Sequence, residues 1–349
     1  MKLIDNLFPK IISLENLFLA WEEFKKGKQH KADVGHFEFQ LEHNIFKLHH
    51  QLADKTYQHG HYSDFYIRDP KVRHIHKALV KDRILHHAVF RILNPVFDKA
   101  FIPNSFSCRL GKGAHKGVKA VERMIRKESE NYTKQCFVLK CDVKKFFASV
   151  NHQILTDILR KKIKDKDLIW LLNEIVGSFS PEDIDFIEKR GLPIGNLTSQ
   201  LFANIYLNKL DQFVKNDLKI KHYARYTDDF VVISEDKSYL ESLLKPIQDF
   251  LENTLKLQLH PNKVSIRKIS WGTDFLGYVI LPHYLQLRTK TKHRIIRKTK
   301  DRIEEYKKGQ INETTLNQSL NSYLGVLSHA KMHGFSGKFL NQYWFWLNE

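Results

Sequence analysis

Three carboxylates occupy positions where acids do chemistry. Asp142 closes an apolar run, and Asp228 and Asp229 sit between Tyr226-Thr227 and the run Phe230-Val231-Val232-Ile233. An acid at a strand end and a pair of acids in a hairpin turn converge when the two lie side by side in one sheet. Without a counter-charge, three such groups repel one another. A divalent cation removes that penalty, and magnesium prefers a few carboxylates completed by water and substrate phosphates. Two ions about 3.5–4 Å apart can clamp the attacking and leaving oxygens of an in-line phosphoryl displacement. One would activate a primer 3′-hydroxyl; the other would neutralise charge on the triphosphate and the departing pyrophosphate. The chemistry expected of Asp142, Asp228 and Asp229 is therefore nucleotidyl transfer with two Mg2+ ions, for which Mn2+ can substitute. Either signal alone is weak, because solvated Asp-rich turns are common. Together, each flanked by buried-strand sequence, they are moderately specific.

The elements that must position these acids are legible around them. Residues 135–143 read as a buried strand and 222–234 as two strand pieces around a tight polar centre. Between them, 191–200 reads as a turn leading into a helix over 201–214, and helices are expected over 152–162, 168–176 and 239–255. Upstream, Leu14, Leu17, Phe18, Trp21 and Phe24 recur at helical spacing, so 11–56 reads as helical, with a second run over 37–52. Residues 57–69 are turn-rich and aromatic, 77–97 form an amphipathic helix ended by Asn94-Pro95, and 101–118 form a Gly- and Lys-rich loop entering a helix. Two strands, 274–281 and 283–288, flank Pro282-His283. The tail from Arg288 is helical, and ten Lys or Arg against three acids fall between Arg288 and Lys308. Strands and helices without regular alternation predict an α+β core with helical appendages and a domain boundary near residue 285.

Composition agrees with a polyanionic partner. The 349 residues carry a formal charge of +18, and 42% of them are hydrophobic, enough for a large core. Nucleic acid and an anionic membrane both fit the charge. No apolar run of about 18 residues predicts a membrane span. Asp5, Pro9 and Glu15 interrupt residues 1–24, so an ordinary helix is expected there rather than a signal peptide. Three cysteines, Cys108, Cys136 and Cys141, make no disulfide framework and no zinc spacing, which fits a reducing cytoplasm. The pairs His74/His76 and His86/His87 lack the further ligands a zinc site needs and read more simply as histidines near phosphates.

From about residue 60 to 349 the motifs VKDRILHHA, SFSCRLGKGAHKGV, FVLKCDVKKFF, GLPIGNLTSQLFAN, YTDD, LKLQLHPNKV and DFLGYVI follow in order. This ordered series resembles a reverse transcriptase. The resemblance implies a right-hand polymerase of fingers, palm and thumb. It divides the chain into an N-terminal helical extension (1–60), a fingers and palm catalytic domain (61–284) with an antiparallel palm sheet, and a basic helical thumb (285–349). It implies metal ligation by Asp142, the adjacent Val143, Asp228 and Asp229. It places Lys81, Arg83, Arg109, Lys145, Phe146, Phe147, Ile194, Gly195, Gln200 and Lys263 at the nucleotide, and Phe275, Leu276, Gly277 and Tyr278 in a primer grip. Arg288, Lys290, Lys292, Arg294, Arg297 and Lys298 would grip nucleic acid. Each role has a physical rationale. Phe147, five residues after Asp142, would exclude a 2′-hydroxyl sterically, with Phe146 free to serve the core. Arg109, with Lys112 nearby, would hold the triphosphate, Lys81 and Arg83 competing for that role. Lys263 would protonate the leaving pyrophosphate, and Gly195 would let backbone approach the nucleotide.

Two departures refine the resemblance. Most reverse transcriptases carry glutamine before the glycine of the nucleotide motif and proline after its serine; here Ile194 and Gln200 stand there. That combination resembles the reverse transcriptases of diversity-generating retroelements, as do CRLGKGAHKGV, GNLTSQLFANIYLNKLDQFV and SYLGVLSHA. The family implies error-prone, adenine-mutagenic cDNA synthesis from a template-repeat RNA for diversification of a target gene. Its partners would be template RNA and the cDNA/RNA duplex, dNTPs, a structured cassette RNA and an oligomer of a small basic accessory protein, with no membrane. The setting would be the cytoplasm, from a bacterial or phage-encoded gene. The alternatives are a bacterial reverse transcriptase of a phage-defence, retron or group II intron-like system and, disfavoured by the three acids, a non-catalytic RNA-binding protein.

Overall fold

The computed structural model describes residues 4–69, 71–179, 189–330 and 333–349. Four helices come first: α1 (Phe8–Ile12), α2 (Leu14–Lys25), α3 (Ala32–Phe39) and α4 (Leu41–Ala53). A hairpin of β1 (Ser63–Ile67) and β2 (Arg73–Lys77) leads into the long α5 (Val80–Asp98), and a loop leads to α6 (Ala114–Glu128). Then come β3 (Phe137–Asp142), the short α7 (Phe146–Ser149), α8 (His152–Arg160), α9 (Lys166–Gly177) and α10 (Leu197–Gln212). The hairpin of β4 (His222–Tyr226) and β5 (Asp229–Ser234) is followed by α11 (Lys237–Ser242), α12 (Leu244–Thr254) and β6 (Ser265–Lys268). The last strands are β7 (Thr273–Phe275), β8 (Tyr278–Leu281) and β9 (Tyr284–Leu287), and α13 (Thr289–Lys307), α14 (Glu313–Ser328) and α15 (His333–Asn348) close the chain. Side-chain caps fix several helix starts: Ser13, Asn151, Asp165 and Asn312 accept backbone amides at α2, α8, α9 and α14.

The site rests on a four-stranded antiparallel sheet in the order β4-β5-β3-β6. Helices and loops cover both its faces, so β3 and β5 read as near-continuous apolar runs rather than polar-apolar alternations. Period-2 geometry nevertheless sorts their side chains. Leu139, Cys141, Phe230 and Val232 enter a core shared with α2, α4, α5, α8 and α10. Val138, Val231 and Ile233 enter a second core with α6, the sheet β7-β8-β9 and the helical tail. Each fully buried Phe, Val or Leu here contributes about 1.5–3 kcal/mol. Both cores press on β3 and β5, which makes this pair a stiff place to mount chemistry.

Four differences from the sequence reading have physical causes. Residues 57–69 are not all turn, since Ser63–Ile67 pairs antiparallel with Arg73–Lys77, the first strand exposed and the second mostly half-buried. Without a buried face it has no hydrophobic alternation to reveal it. Helix α5 does not end at Asn94-Pro95 but runs on to Asp98. Pro95 removes one donor, and burial of Leu93 and Phe97 holds the last turn in place. Residues 239–255 form two helices, with Leu243 between them and Pro246 near the start of α12, where its missing N–H is tolerated. Residues 274–281 are split at Leu276 and Gly277, whose φ values are +50° and +89°, so β7 and β8 form their own hairpin. The short strand β6 is a further element that the sequence reading did not anticipate.

Candidate active site

The register of β3 against β5 pairs Asp142 directly with Asp229. Alternation puts both on the face of Val138 and Val231, toward the second core. The turn between β4 and β5 is Thr227-Asp228, closed by the Tyr226–Asp229 pair, and the Asp228 carbonyl accepts the Val143 amide at 3.1 Å. The segment after α12 clamps the other side of Asp142. Its carbonyl accepts the His260 amide at 2.8 Å, Lys144 N–H donates to Gln258 at 2.8 Å, and Val143 bridges Leu259. All three predicted carboxylates thus sit at one end of the central strand pair.

Their electrostatics are those of crowded acids. Burial, together with the charges of Asp142 and Asp229, pushes the Asp228 carboxyl up to about 6. Asp229 is also raised, by burial first and by Asp142, with Lys140 opposing. Among the described residues its Oδ1 is buried without a hydrogen-bond partner, and the Lys140 ammonium stands 3.7 Å away. Lys263 Nζ contacts Asp142 Oδ1 at 2.7 Å. Among the described residues, no three His, Cys, Asp or Glu side chains form a ready metal-ligand cluster. The acids still suit magnesium, which needs only one or two carboxylates beside substrate phosphates and water. An orphaned carboxylate oxygen and a raised neighbour are what a cation would relieve.

The turn itself is held under strain. Thr227 is β-branched yet has φ +52°, a left-handed conformation that such residues rarely adopt. Arg225, two residues before, is fully buried and forks onto Asp211 of α10 through two 2.7 Å bonds, Nε to Oδ1 and Nη2 to Oδ2. Its Nη1 donates to the Thr227 carbonyl at 3.0 Å, and its Nη2 to Ser105 Oγ at 3.1 Å.

The remaining predicted residues scatter into distinct settings. Phe146 is buried in the core, whereas half-buried Phe147 packs edge-to-face on it with ring centroids 5.3 Å apart. The Phe147 carbonyl accepts Leu192 N–H at 2.7 Å, which ties it to the turn before α10. Lys145 is exposed at φ +44°. Half-buried Ile194 receives the His76 amide at 3.1 Å, joining that turn to β2. Gly195 has φ +122°, and a Cβ there would meet the Ile75 methyl at 3.1 Å, so glycine suits the position twice over. Gly195, Gln200 and Arg83 line one cavity of about 200 Å³ with Lys28, His87 and Asn196. Arg83 also pairs with Asp33 and lies over Phe24, while Lys81 donates to the Gln58 carbonyl.

Arg109 is engaged within its own loop. Its side chain is 6% exposed and binds Asp98 and the carbonyls of Ile102, Ser105 and Asp98, so it braces its own loop. Lys112 likewise donates to the Pro103 carbonyl. In the β7–β8 hairpin, Phe275 and Tyr278 face the second core and Leu276-Gly277 make the turn, with Tyr278 Oη near His115 Nε2 at 3.0 Å. At the start of the basic helix Arg288 pairs with Asp274; on it, Arg297 and Lys298 pair with Asp69, Lys292 lies over Phe335, Lys290 is exposed and Arg294 is half-exposed.

The sequence reading missed Lys140, Arg225 and Asp211. Arg225 lies within three residues of the paired acids, and a cation embedded in an apolar strand is itself the signal, since buried arginine requires a partner. Nothing local points to Asp211, which reaches Arg225 only through the packing of α10 on β4.

Residues 68–280 match the family model described as reverse transcriptase (RNA-dependent DNA polymerase). The chain is 25% identical to Protein YkfC of Escherichia coli (strain K12), over 60% of this chain and 64% of that protein. It is 23% identical to the group II intron-encoded protein LtrA of Lactococcus lactis subsp. cremoris, over 68% of this chain and 50% of that one. A shorter match, 25% identical over 37% of this chain and 19% of the relative, is to nuclear intron maturase 2, mitochondrial, of Arabidopsis thaliana. The chain spans less than two thirds of the length of each. With more than half of its residues inside the family model and the paired acids inside that span, the chain belongs to the reverse transcriptase family of RNA-dependent DNA polymerases.

Proposed function

We propose that this chain is an active RNA-directed DNA polymerase whose chemistry is centred on Asp142, Asp228 and Asp229. The observation that carries this reading is the direct β3–β5 pairing of Asp142 with Asp229, with Asp228 in the adjoining turn. Bound divalent cations would activate the attacking hydroxyl and neutralise the triphosphate. The carboxylates and the Val143 carbonyl would hold them. Lys263, already at Asp142, supplies a proton for the departing pyrophosphate. Half-buried Phe147 offers its ring to the incoming sugar, while Phe146 anchors it from the core. Within a right-hand architecture, residues 61–284 would be fingers and palm, with 285–349 as thumb and 1–60 as an extension on the fingers. Lys290 and Arg294 of α13, exposed and half-exposed, would meet the phosphates of the template duplex.

The finer reading is mutagenic copying of a template-repeat RNA for a diversity-generating retroelement, with a structured cassette RNA and a small basic accessory protein as partners. Ile194 supports it. A glutamine side chain there would fix the nucleotide by hydrogen bonds; isoleucine offers none, so polar discrimination weakens. Sequencing of cDNA made from a defined RNA tests this. Errors concentrated at template adenine are expected, falling about tenfold in Ile194→Gln; a flat error spectrum, or one unchanged by the substitution, rejects it. A second reading, an enzyme of a group II intron-like system, is favoured by the similarity to LtrA and to intron maturases. A flat error spectrum together with specific binding of an intron RNA would select it.

A further inference from the structure

We propose that Arg225 and Asp211 form a positioning brace that holds the Asp228-bearing turn in its strained conformation. The inference rests on the polymerase reading only for the meaning of that turn. Thr227 and Asp228 are the two central residues of the β4–β5 hairpin, and Thr227 occupies a positive-φ position where glycine or asparagine is usual. Such a conformation persists only where its surroundings over-determine it. Here two groups hold Thr227 from opposite ends. Arg225 Nη1 donates to its carbonyl at 3.0 Å, and its own hydroxyl donates to Ser107 Oγ at 2.6 Å.

Each holder is fixed in turn. Arg225 is gripped by the two-bond fork to Asp211, and Tyr223 Oη donates to the same carboxylate at 2.8 Å. Ser107 lies in the loop after α5, where its carbonyl accepts Asn204 Nδ2 of α10 at 2.9 Å. That loop also runs along the open edge of β4: Arg225 N–H donates to Asn104 and Phe106 N–H to Arg225, each at 3.0 Å. The turn is thus referenced to α10 by two independent routes. Arg225 and Asp211 are both fully buried. Mutual attraction alone does not account for such a pair, since burial takes back most of what pairing gains. The bond to the Thr227 carbonyl is what apolar replacements could not supply.

The pair substitution Arg225→Met/Asp211→Leu removes both buried charges together, so the fold should survive while the donor to Thr227 is lost. The readouts are single-dNTP incorporation on an RNA-templated DNA primer, equilibrium binding of that duplex, and thermal unfolding. The brace predicts kcat about 100-fold lower, the effect of misplacing a reacting group by about 1 Å, with duplex affinity within about twofold. Adding Thr227→Gly, which makes positive φ free of strain, should restore at least about tenfold of the loss. A merely structural pair gives no such rescue. Wild-type kcat in the folded pair variant, or no rescue in the folded triple variant, overturns the proposal. Should the pair variant fail to fold, Ser107→Ala cuts only the second holder. It should lower kcat about fivefold at constant KM, a modest loss for one hydrogen bond; an unchanged kcat there also overturns it. Absence of incorporation by the wild-type protein would instead defeat the polymerase reading.

Discussion

At the scale of single residues, Phe146 and Phe147 show how neighbours divide labour. They are chemically identical and adjacent, yet the register of the short α7 buries one ring and leaves the other half-open. The open ring is the one proposed to meet the sugar. Phe147→Ala should therefore raise ribonucleotide incorporation relative to deoxyribonucleotide by about tenfold or more, which is at least about 1.4 kcal/mol of lost discrimination. Parallel single-turnover assays with rCTP and dCTP measure it, and an unchanged ratio would remove Phe147 from sugar selection. The paired acids were legible in the sequence because a strand-terminal Asp and a hairpin Asp-Asp lie within strongly apolar runs. The partners of Arg109 were not. An arginine in a glycine-rich loop has the same local sequence whether it waits for phosphate or, as here, binds Asp98 and three carbonyls. Only the folded loop decides.

At the scale of elements, strands with a buried face announced themselves and solvated ones did not. β3 and β5 supply alternate side chains to two cores, so their hydrophobic runs were unmistakable. β6 is an edge strand carrying Arg267 and Lys268, and it pairs with β3 through backbone groups that leave no compositional mark. The turn at Leu276-Gly277 was obscured in the same way, by apolar residues on both sides. The Arg225–Asp211 pair joins two elements and has a stability signature of its own. Arg225→Met alone should cost about 3–5 kcal/mol, because it strands a buried carboxylate, whereas the pair substitution with Asp211→Leu should recover most of it. Urea unfolding of the two variants provides the comparison. Equal destabilisation by both would mean that packing, not charge, dominates at this junction.

At the scale of the whole molecule, a surplus of cations surrounds a small acidic centre. The formal charge of +18 suits a polyanionic partner, and the acids proposed to carry the chemistry lie together at one end of the central strand pair. On the proposed function, long-range steering and local catalysis fall to separate residues and can be tested apart. Among the described residues no helix is long and apolar enough to cross a membrane. The measurement that bears most directly on the central claim is single-dNTP incorporation into a DNA primer on an RNA template with Mg2+, for wild type and Asp228→Asn at equal duplex occupancy. The wild-type protein should extend the primer, and Asp228→Asn should do so at least about 10³-fold more slowly while binding the duplex normally. Extension by Asp228→Asn at the wild-type rate, or none by the wild type, would contradict the account.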